Sequence, residues 1–250
     1  MSESETRFME KWADKVITLT NPNSSWTLEE HNSQRDAESF HGYHKPSGAW
    51  ASFLCRNTDD TDDVAVVRII MQIPYAGSEY ACYEERARQA SEILDTDSRE
   101  RVEADEILTR NQCTACPAIR HHEITKQEND DTELVPGEFL HYLLFDKAPG
   151  VQLDWDLFWS WDREERDAVR SAFREAWLEC VRAGVNPNMN VLRHLFWSRE
   201  TGKIVIAGLK MPHPVTGPVE WEDYTFMMFD LVDTSRANRS DENGMDEWIY

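Results

Sequence analysis

The chain has 250 residues, 40 % of them hydrophobic and 11 % aromatic, so it is long and apolar enough to bury a sizeable core. Its 47 acidic and 26 basic residues give a formal net charge of −21, which argues against a broad nucleic-acid surface and against DNA as a partner. It has no apolar run of bilayer length, no basic and apolar signal segment at its start, and five scattered cysteines typical of free thiols, so we expect a cytoplasmic protein without a membrane partner.

The first part of the chain is predicted to form an extension followed by a sheet. Residues 1–40 have only a weak apolar face, which predicts a helical or partly ordered N-terminal extension. Residues 41–147 alternate between apolar, β-branched runs and acidic or polar loops, which is typical of antiparallel strands. Strands are predicted at 49–55, 64–73, 119–124 and 139–145, and helices at 84–90 and 99–110.

The second part is predicted to be mainly helical. The segment DKAPG at 146–150 breaks the strand pattern, so we place a boundary there and assign 148–250 to a second lobe. Asp162 and Glu165 have capping-box spacing, and Gly184 stands where a helix C-cap belongs, which predicts a long amphipathic helix between them. A hairpin over 192–207 follows.

The wording of several segments resembles a family of fungal kinase-like proteins over about residues 50–210. The segments are VVRIIMQIP (66–74), LTRNQCTACPAI (108–119), VPGEFLHYLLFDKAPGVQL (135–153), FWSWDREERDAVRSAFREAWLECVRAGV (158–185) and LRHLFWSRETGKIVIAGLK (192–210). The resemblance implies an α+β, two-lobed protein-kinase-like fold, with a small antiparallel-sheet upper lobe at 41–147 and a reduced, mainly helical lower lobe at 148–250.

The residues that phosphoryl transfer requires are not in place. That chemistry uses a Lys on the phosphates, an Asp that takes the hydroxyl proton, and an Asn and a second Asp that hold magnesium. By the resemblance, these four positions are occupied by Arg68, Met189, His194 and Gly208. Independently of any alignment, the stretch from Gly184 to Val219 contains no Asp, and its one Glu is Glu200 in the predicted hairpin turn. Ordinary magnesium-dependent phosphoryl transfer is therefore not expected.

The candidate site is drawn from the residues around this kinase-like cleft. The candidate catalytic residues are His194, Glu106 and Glu103, with His194 as a general base or donor. The candidate substrate-binding residues are Arg68, Asp146, Asn190 and Arg193. The candidate RNA-backbone contacts, whose alternative is a solvated helix edge with internal ion pairs, are Arg163, Arg166, Arg170 and Arg174. No cofactor and no metal are expected.

Other reactive side chains have plainer interpretations. Cys113 and Cys116 form a lone CxxC without a second pair, so ordinary thiols are favoured over a redox or zinc role. His121 and His122 are adjacent on a predicted strand and therefore point to opposite faces, which disfavours a shared metal.

Three functions remain open on this basis. The first is an enzyme with a repurposed cleft that takes a small-molecule or aminoacyl substrate, with tRNA as a candidate partner. Its most specific form is the arginine-containing cyclodipeptide synthase class. The second is a pseudokinase-like binding or regulatory protein. The third is an atypical phosphotransferase that draws its carboxylates from the tail, for example Glu222, Asp223 or Asp230.

Overall fold

The computed structural model describes residues 12, 14–20, 23–29, 37–40, 47–75, 77–78, 80–91, 96–127, 135–188, 191–234 and 249–250. The chain divides into two compact units, and each is a mixture of helix and antiparallel strand. The first unit comprises residues 1–99 and 119–147, and the second comprises 100–118 and 148–250. No helix in these ranges is long and apolar enough to cross a bilayer.

The first unit is built on one seven-stranded antiparallel sheet. Its strands are β1 (Val16–Thr20), β2 (Asn23–Glu29), β3 (Ala37–Phe40), β4 (Ser47–Asn57), β5 (Val64–Ile73), β6 (Ile119–Lys126) and β7 (Phe139–Asp146). Their order across the sheet is β1-β2-β4-β5-β7-β6, and β3 pairs separately with β4. The short helix α1 (Tyr83–Ala87) follows β5, and the longer helix α2 (Thr96–Arg110) comes next in the chain. The four predicted strands and two predicted helices are confirmed as elements.

The expectation of a helical extension at the start of the chain is wrong. The sequences VITLT and NSSWTLE form β1 and β2, and their side chains alternate between buried and accessible positions with the period of a strand. Leu19, Trp26 and Leu28 enter the core on one face of the sheet. The apolar residues were therefore spaced for a strand rather than for a helix.

The sheet curls until its two edge strands meet. Although β1 and β6 stand at opposite ends of the strand order, Glu123 on β6 accepts hydrogen bonds from the Thr20 amide at 2.7 Å and the Thr20 hydroxyl at 3.0 Å. Arg120 on β6 lies 5.4 Å from the Trp26 ring centroid and pairs with Asp63 at 2.9 Å. The core face of the sheet is thus closed by side chains of its own edges.

The second unit is organised around its longest helix. Its helices are α3 (Trp155–Ser160), α4 (Arg163–Arg182), a 3-10 turn at Leu192–His194 and α5 (Tyr224–Met228). Its strands are β8 (Val151–Gln152), β9 (Val185–Asn186), β10 (Leu195–Ser198), β11 (Lys203–Ile206) and β12 (His213–Pro214). The strands β8, β10 and β11 form a small sheet, while β9 pairs with β12.

Local sequence explains how α4 forms and what it buries. The Asp162 carboxylate accepts from the Glu165 amide at 2.9 Å, which caps the helix start, and Gly184 follows its end with φ +99°. Val169, Phe173 and Trp177 lie on the buried face, where Phe173 contacts Phe229 at 4.5 Å between ring centroids. The predicted long helix is confirmed.

The two units do not correspond to two consecutive segments of the chain. Residues 100–118 belong with the second unit, because Ala104 and Leu108 of α2 and the cysteine turn after it share one core cluster with α4. The expected boundary assigned these residues to the upper lobe. Sequence order alone did not reveal which core their apolar side chains join.

Gly150 provides a test of the packing at the start of the second unit. Its φ is +92°, and a Cβ placed there would lie 2.4 Å from the Trp197 carbonyl oxygen. We expect Gly150→Ala to lower the free energy of unfolding by roughly 2–5 kcal/mol, because a left-handed backbone and a backbone clash add together. Urea titration at neutral pH measures the change.

Gly202→Ala is the matched control for this prediction. Gly202 also has positive φ, at +62°, but a Cβ there would meet nothing within 4 Å. Its expected cost is about 1 kcal/mol, from the backbone alone. Equal losses in the two variants would contradict the close approach at Gly150.

Candidate functional site

Arg68 is a buried cation on an otherwise apolar strand. It lies on β5 opposite Ser52 of β4 and Leu143 of β7. Its guanidinium carbon is 4.9 Å from the Phe145 ring centroid and 5.7 Å from that of Trp50. Aromatic faces attract a cation, and aromatic contact on two sides restricts its rotamers. The arginine is therefore held on the face of the sheet opposite the core that contains Val67 and Ile69.

A histidine pair lies on the same face of the sheet. His141 pairs across β5 with Ile70, and its ring is 4.4 Å from that of His122 between centroids. His141 is 1 % exposed, and neither of its ring nitrogens has a hydrogen-bond partner in the described part of the chain. Burial, helped by the neighbouring His122, lowers the pKa of His141 from 6.5 to about 4. The ring is consequently neutral at physiological pH.

Asp146 is placed at the end of β7 and is already paired. Its carboxylate lies 3.5 Å from Nε of Arg120, and the same guanidinium donates to Asp63 at 2.9 Å. Arg120 thus bridges two carboxylates at one end of the sheet. Asp146 remains 59 % exposed, so this loose pairing leaves it accessible to solvent and to ligands.

Glu103 and Glu106 are exposed on α2. The acidic residue that α2 buries is Asp105, at 6 % exposure, and sequence inspection had not singled it out. Both glutamates belong to the second unit and Arg68 belongs to the first, so their roles in one site stay predictions.

His194 and Arg193 end the 3-10 turn before β10. The backbone of His194 is tied on both sides, since its amide donates to Val191 at 2.9 Å and its carbonyl accepts from Ala207 at 2.7 Å. The residue is 4 % exposed, so a general-base role would need access that burial restricts. The Arg193 carbonyl accepts from the Gln152 side chain at 2.7 Å. Asn190 and Met189 lie outside the described residues.

One tail carboxylate reaches this turn. Burial raises the pKa of Asp230, while a hydrogen bond from the Leu192 amide and the charge of Arg193 act in the opposite direction. Its backbone is left-handed, with φ +58°. By contrast, the Asp223 carboxylate accepts from the Trp221 ring nitrogen at 2.9 Å. Both carboxylates therefore have partners within the protein, and the contact between Asp230 and Leu192 could not be predicted because the two residues are far apart in the chain.

Gly208 has a backbone that favours glycine. Its φ is +85°, in the left-handed region that residues with a Cβ adopt at a cost. This position directly follows β11 and Ala207, whose amide is bonded to His194. At the position where the resemblance implies a magnesium ligand, the local conformation therefore suits a residue without a side chain.

The arginines of α4 divide into inward and outward groups. Arg170 is buried, donating to the Leu231 carbonyl at 3.0 Å and to Asp167 at 2.6 Å, and Arg166 donates to the Trp161 and Tyr250 carbonyls. Arg163 and Arg174 are exposed. The expectation that all four contact RNA is wrong for Arg170, because its guanidinium is enclosed and satisfied by protein oxygens.

A shallow groove of about 450 Å³ lies on the second unit between α4 and the β10–β11 hairpin. Small side chains such as Ala168, Ser171 and Ala172 line the helix side, and Lys203 lies on the hairpin side. Glu179 also borders it, but its carboxylate already accepts from the amides of Thr114 and Ala115. The groove is accessible, and its charged groups are few.

Three cysteines form the group of described side chains best suited to hold a metal ion. Sγ atoms of Cys113, Cys116 and Cys180 all lie within 4.8 Å of one another and are buried. Sequence inspection found the CxxC but not the third thiol, because Cys180 is 64 residues further along the chain. A cysteine on the apolar face of a helix gives no sign of which loop it will meet.

Comparisons with known proteins define no family for this chain. Neither family models nor curated proteins match it. Among solved structures, it is similar to the Cydia pomonella granulovirus kinase PK-1, with 10 % sequence identity and a TM-score of 0.39. The match covers 75 % of this chain and 56 % of the kinase. Likeness at this level does not define a common fold.

His141 makes the stability of the protein depend on pH. The folded protein holds this ring with a pKa near 4 against 6.5 when unfolded, so the unfolded state binds the proton more readily. The free energy of unfolding should therefore be greatest above pH 6.5 and fall as pH drops towards 4, by up to about 3 kcal/mol.

His141→Phe should reduce this dependence of the unfolding free energy on pH in urea titrations at pH 7.5, 6 and 5. His213→Ala, at an exposed position, should keep it, and equal slopes in all three proteins would contradict the assignment.

Alanine substitutions at Arg170 and Arg163 compare the stability contribution of a buried arginine with that of an exposed one. Arg170→Ala should lower the free energy of unfolding by about 2–4 kcal/mol, because the Leu231 carbonyl loses its buried donor and a cavity forms. Arg163→Ala, which removes an exposed pair with Asp167, should change it by less than about 0.5 kcal/mol. Thermal and urea unfolding report both values. A neutral effect of Arg170→Ala would show that its enclosure is unimportant.

Proposed function

We propose that this chain is a kinase-like protein that binds a nucleotide-type anion without magnesium and does not transfer phosphoryl groups. In this proposal the first unit corresponds to the sheet lobe and the second to the helical lobe of the fold that the sequence resembles. The protein would then act as a binding or regulatory module. The proposal rests on Arg68, at the position where the resemblance implies a lysine, and on the absence of any Asp from the sequence between Gly184 and Val219.

In this proposal Arg68 supplies the positive charge that binds phosphate. Arg68 keeps a permanent positive charge where the resemblance implies a lysine, and a guanidinium can bind phosphate oxygens in a bidentate manner. Its position between the rings of Trp50 and Phe145 fixes the direction in which it can donate. A planar base would also find aromatic surface on this face of the sheet.

In this proposal the site lacks the carboxylates that would bind magnesium. Magnesium needs carboxylate or phosphate oxygens in near-octahedral geometry. The segment from Gly184 to Val219 offers only Glu200, which is exposed in the turn after β10. In the described part of the tail, Asp230 accepts from the Leu192 amide and Asp223 accepts from the Trp221 ring nitrogen, so both carboxylates already have partners. These points favour a binding protein over the atypical phosphotransferase.

Thermal unfolding with ATP tests the proposal directly. The melting temperature should rise with ATP, and the rise should be the same with excess Mg²⁺ and with EDTA, because no protein group links the metal to the site. A parallel assay with γ-labelled ATP should show no transfer to protein or water. No shift with ATP would contradict nucleotide binding, whereas a magnesium-dependent shift or transferred label would contradict the loss of phosphoryl chemistry.

Two variants locate the binding. Arg68→Met should abolish the ATP-dependent shift, and Arg68→Lys should retain part of it because the charge remains. Arg56→Met is the matched control, since Arg56 lies on the same sheet but pairs with Glu29 at 2.9 Å near the surface. A shift that survives Arg68→Met would place the nucleotide elsewhere.

The aminoacyl-transfer interpretation, with an arginine-containing cyclic dipeptide as product, stays a prediction with a separate test. On α4, Arg163 and Arg174 are the exposed candidates for a tRNA backbone. Cells that express the chain should then accumulate a cyclic dipeptide that is absent from cells expressing His194→Ala or Glu106→Ala. An unchanged metabolite profile on expression of the chain would rule this activity out for the host used.

A further inference from the structure

The turn that carries the CxxC is held firmly against two other elements of the second unit. The Cys113 amide donates to the Leu108 carbonyl at 3.0 Å, and the Asn111 side chain donates to the Ala183 carbonyl at 2.7 Å. The Ala115 carbonyl accepts from the Ile206 amide at 2.7 Å. The turn is therefore fixed between the end of α4 and the end of β11 before any ligand arrives.

A carboxylate of α4 secures the middle of the same turn. Glu179 accepts from the Thr114 amide and hydroxyl and from the Ala115 amide, the last at 3.2 Å. Cys180 is the next residue of the helix and points into the core, so the contacts of Glu179 bring the turn to the third thiol. The sulfur atoms are thus brought together by hydrogen bonds of the surrounding backbone and of the Asn111 and Glu179 side chains.

The spacing of the sulfur atoms is that of a metal site. Cys180 Sγ lies 3.4 Å from Cys116 Sγ and 3.9 Å from Cys113 Sγ. Zinc binds thiolates at about 2.3 Å in a tetrahedron, which separates neighbouring sulfur atoms by about 3.8 Å. A disulfide would require two of these atoms at about 2.05 Å and would leave the third unused.

We propose that Cys113, Cys116 and Cys180 form a binding site for one thiophilic d10 cation, with Zn²⁺ as the expected ion. Each thiol releases its proton to solvent as its bond to the metal forms, and the cation offsets the charge of the buried thiolates. The described residues provide no fourth His, Cys, Asp or Glu to this group, so the fourth position takes water or a small exogenous ligand. The site does not depend on the proposed nucleotide binding.

The site would join two elements that are distant in sequence. It links the turn after α2 to the last turns of α4, and both pack into the core that includes Trp197 and Ile206. A metal that binds the folded chain more tightly than the unfolded chain stabilises the fold by an amount that grows with the logarithm of the free metal concentration. We therefore expect metal binding to raise the stability of the second unit.

Metal uptake by the full reduced chain tests the inference. Protein stripped with a chelator should take up about one Zn²⁺ per chain, with a rise in melting temperature. Co²⁺ in place of zinc should give the near-ultraviolet charge-transfer absorption of a thiolate complex. Failure to bind either ion, or Co²⁺ binding without that absorption, would overturn the proposal even if folding and ATP binding are normal.

Cysteine variants assign the ligands. Cys116→Ser and Cys180→Ser should lose the Co²⁺ absorption and the stoichiometric uptake. Cys55→Ser, buried in the first unit, and Cys82→Ser, at an exposed position, should keep both. Loss in the control variants would overturn the assignment. A Cys180→Ser chain that does not fold leaves Cys116→Ser and the wild-type spectrum to decide. A disulfide within the trio, with no metal uptake after reduction, would also overturn the proposal.

Discussion

Burial of one face of α4 is the constraint on which the second unit depends. Phe173 and Trp177 anchor the aromatic tail through Trp221, Phe226 and Phe229. On the same face, Cys180 contacts Cys116 of the CxxC turn. Arg170 donates a hydrogen bond to the Leu231 carbonyl and so fixes that part of the tail against the helix. A close-packed helix face allows few rearrangements. The turns that pack against it therefore have few alternative conformations. Reactive and charged side chains of this unit, such as Cys180 and Arg170, are therefore held in fixed positions by packing.

The backbone around the turn that precedes β10 restricts which side chains can be placed there. Gly208 has a left-handed conformation, and the 3-10 turn at Leu192–His194 is tied to Ala207 by a backbone hydrogen bond. Replacing single residues there would not by itself recreate a magnesium site. On the first unit, Arg68 is buried between the rings of Trp50 and Phe145, so its orientation is also set by packing.

The strands β4 to β7 and the helix α4 could be predicted because their apolar residues recur with clear periods between turn residues or caps. The strands β1 and β2 were not predicted, because their four buried residues, Ile17, Leu19, Trp26 and Leu28, are too few within a polar stretch to establish a strand period before a partner strand is known. For the candidate site, the resemblance of the sequence segments was enough to single out Arg68 and Gly208. The burial of His141 and Arg170 and the meeting of Cys180 with Cys113 were not, because each depends on contacts between residues far apart in the chain.

The contact between Thr20 and Glu123 also bears on how copies of the chain meet. A sheet normally offers two unpaired edges, each a template for adding a strand from another molecule. Here each edge strand faces the other, and a carboxylate occupies the place where a foreign strand would have to enter. Together with a net charge of −21, this arrangement disfavours edge-to-edge stacking in the crowded cell. Where β1 and β6 meet, the contact between Thr20 and Glu123 leaves less unpaired backbone for a strand of another chain.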